Sequence, residues 1–227
     1  MSSTTAASEA TPAARVTGNW VAALRGFAAA VGSAGERCEL CGRAVDTAHD
    51  HLLDLASRRT ICSCAACAER ATQSESAQSA PARRRIPAEA APLVDFDLSD
   101  ADWDALMIPI GLAFFFVSSA ERRVVAMYPG PAGAVESLLD LGAWNALTDA
   151  NPVLATLRPD VEALLVHRIG AARQYFRAPI DRCFGLAGLI RTRWHGFSGG
   201  AAVQEAIGRF FADMTSGSRS MGRAVHG

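Results

Sequence analysis

Cys38-Glu-Leu-Cys41 and Cys64-Ala-Ala-Cys67 are two C-x2-C pairs separated by 22 residues. Each short spacing lets two thiolates face one ion. The insert is long enough for a hairpin that returns the chain to that ion, so the pattern is a metal-site signature. Four sulfurs around a tetrahedral ion close such a site. Five of the six cysteines and two of the five histidines fall between Cys38 and Cys67. The choice of ligands within this stretch is not unique. Cys62 and Cys64 are two apart and would face the same way on a strand, and His51 can replace a sulfur. The preferred set is Cys38, Cys41, Cys64 and Cys67, with Cys62 and His51 as alternates. Zinc is the metal expected. Iron, as a rubredoxin-like single atom or an iron–sulfur cluster, is the alternative.

Three elements must bring these thiols together. Gly42, just past the second thiol, permits the tight turn of a knuckle. Residues 44–63 read as a hairpin turning at residues 57–59. Beyond Cys64 the sequence Ala-Ala-Cys-Ala-Glu-Arg-Ala-Thr is helix-forming, which puts Cys64 and Cys67 at a helix N-terminus, where the dipole favours thiolate. Knuckle, hairpin and helix over residues 36–72 make a small module of treble-clef or zinc-ribbon type.

The rest of the chain is organised around that module. Residues 1–16 read as disordered by composition, and residues 17–35 as a helix with Trp20, Leu24, Phe27 and Val31 on one face. Residues 73–92 read as a linker rich in Ser, Gln, Ala and Pro, with Arg83, Arg84 and Arg85 solvated in its middle. Residues 93–214 then form an α+β domain with a mostly antiparallel sheet, followed by a frayed tail at 215–227. Within this domain Val94, Phe96 and Leu98 alternate with aspartates as in a strand, and Ser99 caps a short helix carrying Trp103. Residues 110–117 read as a buried central strand and 123–128 as its hairpin partner. Residues 129–133 read as a turn, and residues 135–147 as one broken helix or two. Strands are expected at 161–169 and 174–180. A helix at 182–194 capped by Asp181 comes next, and then a last helix with Val203, Ile207, Phe210, Phe211 and Met214 on one face.

Composition bounds the function classes. At 227 residues, half of them apolar and with net charge −1, the chain can bury a core and has no global field to draw it onto nucleic acid or an anionic membrane. All 22 basic residues are arginine, which reads as coding bias. The start of the chain lacks the pattern of a secretory signal, and the apolar run at 107–117 is too short to span a bilayer. A cytoplasmic setting without membrane insertion is therefore expected. Thiols stay reduced there, and clustered cysteines favour metal over disulfides.

Other motifs carry less. His49-Asp50-His51 between the cysteine pairs resembles treble-clef nucleases of the HNH type, in which a hairpin histidine activates water beside a divalent cation. Those enzymes use a further histidine or asparagine on the following helix, where this chain has Ala65, Ala66, Ala68, Glu69 and Arg70. Gly196-Phe-Ser198-Gly-Gly200 matches G-x-S-x-G, but a helix precedes it where the nucleophile elbow needs a strand. Residues 129–133 lack the Gly-Lys-Ser/Thr end of a phosphate loop. Cys183 reads as a buried thiol.

Specific strings run through both halves of the chain. They include Glu36-Arg-Cys-Glu-Leu-Cys41, Cys62-Ser-Cys-Ala-Ala-Cys67, Ile108-Pro-Ile-Gly-Leu-Ala-Phe-Phe-Phe116, Tyr128-Pro-Gly-Pro-Ala-Gly133, Pro159-Asp-Val-Glu-Ala-Leu-Leu-Val166 and Trp194-His-Gly-Phe-Ser-Gly-Gly200. On these the chain, over residues 36–214, resembles a chiefly actinobacterial family of unknown function. Members of that family tend to be encoded beside uptake [NiFe]-hydrogenase genes. The resemblance implies a role in maturation, assembly or electron transfer, with a hydrogenase or its maturation machinery as protein partner, and assigns no catalytic residue. The expectation is a zinc-binding accessory or scaffold protein, not an enzyme. An iron electron carrier and an HNH-like nuclease are the alternatives.

Overall fold

The computed structural model describes residues 36–73, 82–194 and 200–221. The expected helix at 17–35, the disorder expected at 1–16 and most of the Gly196–Gly200 turn lie outside the described residues. The fold is α+β with two antiparallel sheets. In chain order come β1 (Asp50–Asp54), β2 (Arg59–Ser63), α1 (Ala65–Gln73), β3 (Arg83–Arg85), β4 (Ala91–Pro92), α2 (Asp100–Ala105), β5 (Leu112–Ser118), β6 (Arg123–Gly130), β7 (Gly133–Ser137), α3 (Leu141–Ala150), a 3-10 turn at Pro152–Thr156, β8 (Glu162–His167), β9 (Gln174–Pro179), α4 (Ile180–Arg193) and α5 (Gly200–Met221).

The six-stranded sheet, in order β4-β9-β8-β5-β6-β7, is covered on both faces. Alternation along β5 explains why. Phe114 and Phe116 point to one side, where Phe184 of α4 and Phe211 of α5 join the core. Ala113 and Phe115 point to the other, against Trp103, Trp144 and Leu147 of α2 and α3. A strand buried on both faces has no polar alternation, so its sequence is a continuous apolar run.

The smaller sheet has the order β2-β1-β3. Leu52 and Ile61 face α1 and pack on Ala68, while Leu53, one residue along, joins the core of the large sheet together with Ile86 and Ala90. The period of two in β1 therefore divides its side chains between α1 and the rest of the protein.

Four local expectations are corrected. Residues 94–98 are not a strand: Val94 is 87% exposed, and the Asn151 amide accepts from Asp97 N and donates to Asp97 O, occupying the backbone groups a ladder would use. Val135 to Ser137 lie in β7, not a helix. Gly133, at φ 118, turns the chain into a hairpin with β6, and Glu136 on β7 takes Arg123 on β6 as its partner. Arg83–Arg85 form β3 on the edge of β1. Their partners are Asp54, Asp160 and Asp50 respectively. Finally, α5 continues past Thr215 to Met221, and the hydroxyls of Thr215 and Ser216 donate back to carbonyls four residues earlier.

Candidate metal centre

The loop that carries the first cysteine pair is closed by its own backbone. Cys38 N donates to Arg43 O at 2.7 Å and Gly42 N to Cys38 O at 2.8 Å. Gly42 sits at φ +75, a conformation that costs glycine little. Glu39 then stitches this loop to the hairpin. Its N–H donates to Cys62 O at 2.9 Å, its carboxylate accepts from Cys62 N at 2.8 Å, and its second oxygen accepts from Arg59 Nη1 at 2.6 Å. At the far end of β2 the chain enters α1, where Cys67 N and Ala68 N both donate to Cys64 O at 3.0 Å. The second pair therefore straddles the first turn of a helix.

These constraints gather four thiols. Cys38, Cys41, Cys64 and Cys67 have their sulfurs within 4.8 Å of one another, and Cys41 Sγ lies 3.8 Å from Cys64 Sγ. Tetrahedral coordination with metal–sulfur bonds of about 2.3 Å places sulfurs about 3.8 Å apart. The group can hold one metal ion. Cys38 and Cys67 are buried and Cys41 is exposed, so the site lies at the surface with its inner half closed.

The thiols differ in acidity. Burial raises Cys38, but N–H donors from Cys64, Leu40 and Cys41 outweigh it and bring its pKa down to about 6. Burial and the neighbouring thiols push Cys67 up to about 11, opposed by Arg70. Arg70 Nη2 donates to Cys67 Sγ at 3.3 Å. It would offset the negative charge left when four thiolates bind a divalent ion.

The two alternates go elsewhere. His51 and Cys62 face each other across the β1–β2 register, and His49 precedes His51 by two residues. These three form a second group, each offering one donor atom within 4.8 Å of the others. The His49 and His51 rings meet edge-on, with centroids 4.8 Å apart. His51 Nδ1 lies 2.7 Å from Asp181 Oδ2, and that hydrogen bond raises the His51 pKa more than burial lowers it. Burial, with Glu36 and Glu39 nearby, raises Cys62. Beside the histidines opens a cleft of about 560 Å³ that also includes Thr60, Ile86, Asp181 and Arg182.

Asp181 thus does not cap α4 as expected. Pro179 occupies the cap position with no side-chain bond; Asp181 lies within the first turn, one of its carboxylate oxygens accepting from Arg182 N at 2.7 Å and the other meeting His51. Sequence reasoning missed this role because the two residues are 130 positions apart. Arg70 was within reach: it stands three residues after Cys67 on a helix, a spacing that brings side chains together. Cys183 is fully buried in α4, as expected, and burial raises its pKa well above the ordinary thiol value.

No helix among the described residues is long and apolar enough to cross a membrane. Comparison with curated proteins gives no match, and comparison with solved structures gives none either. Comparison with protein families matches residues 37–218, which take in both cysteine pairs, both sheets and α4, to a family of unknown function, DUF5947. The chain belongs to that family.

Proposed function

We propose that Cys38, Cys41, Cys64 and Cys67 hold a structural zinc ion and that the protein is a non-catalytic accessory or scaffold in the assembly of a larger metalloenzyme. The observation that supports a single-ion site most is the sulfur geometry, since a separation of 3.8 Å between Cys41 and Cys64 is the edge of a single-ion tetrahedron, one that zinc and a lone iron share. A four-iron cluster gives each thiolate its own iron and spreads the sulfurs wider. With four protein ligands the ion has no open position, which is the mark of a structural site. The small β2-β1-β3 sheet and α1 share only a few buried residues of their own, Leu52, Ile61 and Ala68. A metal that ties the 38–41 loop to the start of α1 adds stabilisation that so small a core lacks. The knuckle, hairpin and helix follow the order of a treble clef.

The link to a [NiFe]-hydrogenase rests on the family resemblance, which implies members that tend to be encoded beside such genes. Its test is genetic. In a host that makes an uptake hydrogenase, loss of this protein is expected to leave hydrogenase polypeptides present but inactive. Wild-type protein should restore activity and Cys38→Ser should not. Full hydrogenase activity without the protein contradicts the proposal.

A further inference from the structure

The four-cysteine set leaves a second constellation unused, and its chemistry is that of a different kind of site. His51 lies on β1 and His49 just before it, and their rings meet edge-on with centroids 4.8 Å apart. Cys62 stands opposite His51 on β2. One nitrogen of each ring and the Cys62 sulfur lie within 4.8 Å of one another.

Hydrogen bonds fix which nitrogen each ring offers. His49 Nδ1 is 2.7 Å from the carbonyl oxygen of Asp46, and His51 Nδ1 is 2.7 Å from Asp181 Oδ2. A carbonyl and a carboxylate only accept, so both rings carry a proton on Nδ1, and in the neutral ring Nε2 bears the lone pair. His49 Nε2 is buried and has no hydrogen-bond partner, in a side chain only 6% exposed. A buried basic nitrogen without a donor is costly to leave unsatisfied, and it calls for a ligand. Metal-binding histidines are held in this way, with the far nitrogen donating to a carboxylate or carbonyl that fixes the tautomer and raises basicity.

The structure assigns a second metal site to His49, His51 and Cys62, one that takes a divalent transition ion of borderline softness such as zinc or cobalt. Two imidazoles and one thiolate make three ligands, and three protein ligands are the pattern of a site that keeps a coordination position for an outside molecule. The cleft of about 560 Å³ beside the two histidines gives that molecule its approach. Asp181 is a positioning residue for His51. The site stands independently of the four-thiolate reading, because the two sets share no residue.

Cobalt(II) titration of the metal-free full chain, reduced and without oxygen, tests this directly. Thiolate-to-cobalt absorption reports both sites, and the visible ligand-field bands separate a four-sulfur environment from a nitrogen-rich one. Wild type is expected to take two equivalents per chain. Cys62→Ser and His49→Ala should each take one, with the four-sulfur spectrum intact, which also shows that these variants have folded. Asp181→Asn should keep both equivalents but weaken the second about 10- to 100-fold. An equivalent that persists in Cys38→Ser and vanishes in Cys62→Ser upholds this site even if the four-thiolate reading fails. A wild-type chain that takes only the four-sulfur equivalent overturns the second site, as does a second equivalent that survives in both Cys62→Ser and His49→Ala.

Discussion

His51 Nδ1 and Asp181 Oδ2 meet at 2.7 Å across 130 residues of sequence, and through them the cysteine-bearing hairpin is tied to the first turn of α4. Other contacts run the same way. Leu53 of β1 sits in the core of the large sheet, and Arg84 of β3 donates to Pro159 O at 2.9 Å and lies 3.1 Å from Asp160 Oδ2. Leu55 packs against the same core as Leu53 and Arg58 pairs with Glu121 at 3.3 Å, so the cysteine-bearing segment is docked on the α+β body by apolar and polar anchors together.

Loss of the Asp181 carboxylate should loosen that docking. Asp181→Ala is expected to cost about 1.5–3 kcal/mol, the worth of a hydrogen bond with a charged partner. Native-state hydrogen exchange should locate the loss, with amides of β1 and β2 exchanging faster and those of β5 and β8 unchanged. Equal acceleration in both sheets would contradict the docking account.

Metal removal should act still more locally. In the loop of residues 37–44 order rests on one isolated bridge, a few backbone bonds and the Glu39 carboxylate. Treatment with a chelator, or Cys38→Ser, is therefore expected to expose amides of this loop and of the first turn of α1. The six-stranded sheet keeps its two buried faces and should stay protected. A single cooperative melt that moves as a whole with metal content would mean that the ion supports the entire chain.

Acid should weaken the protein through His167. Its ring stacks on Phe211 at 4.2 Å between centroids, and its Nδ1 lies 2.8 Å from Gln174 Oε1. Burial lowers its pKa below 6.5, and the Gln174 bond only partly opposes this. The folded state therefore prefers the neutral ring. Its contribution to stability is complete above pH 6.5 and is lost as the pH falls through the folded value. His167→Gln should flatten that part of the stability–pH curve in denaturant melts. An unchanged slope would remove His167 from the account.

Backbone packing makes a prediction at Gly111. A Cβ there would sit 2.7 Å from Arg168 O, while Arg168 N donates to Gly111 O at 2.6 Å. Gly111→Ala must push these two chains apart. It should also disturb Arg168, whose buried guanidinium donates to Leu98 O and to the Tyr175 hydroxyl, both at 2.7 Å. The expected loss is about 1–3 kcal/mol, typical of overpacking, read from the denaturation midpoint. A variant as stable as wild type would mean that this approach is looser than it stands.

What the sequence made legible was short-range. The C-x2-C pairs, the glycine after Cys41 and the helix after Cys64 are local signals, and the structure brings those four thiols together. The apolar run through Phe114–Phe116 announced a strand buried on both faces. Edges and partners were less legible. Val135 and Leu138 have a spacing that fits a helix, yet β7 forms because Gly133 turns the chain back and β6 offers a free edge. Arg83–Arg85 looked like a solvated run because their carboxylate partners, Asp50, Asp54 and Asp160, come from other segments. The alternation of Val94, Phe96 and Leu98 was misleading because a side chain 54 residues away, Asn151, claims the backbone of Asp97. The His49–His51–Cys62 group depends on strand register, which one sequence leaves open.

Elemental analysis with a visible spectrum, on protein purified without oxygen or chelator, tests the central claim most directly, with Cys38→Ser measured beside wild type. The account predicts zinc and no visible colour in wild type, with one zinc per chain fewer in Cys38→Ser. Iron with charge-transfer bands that bleach on reduction would contradict it and make the four-cysteine site an electron carrier. Zinc content unchanged in Cys38→Ser would remove the ion from that site.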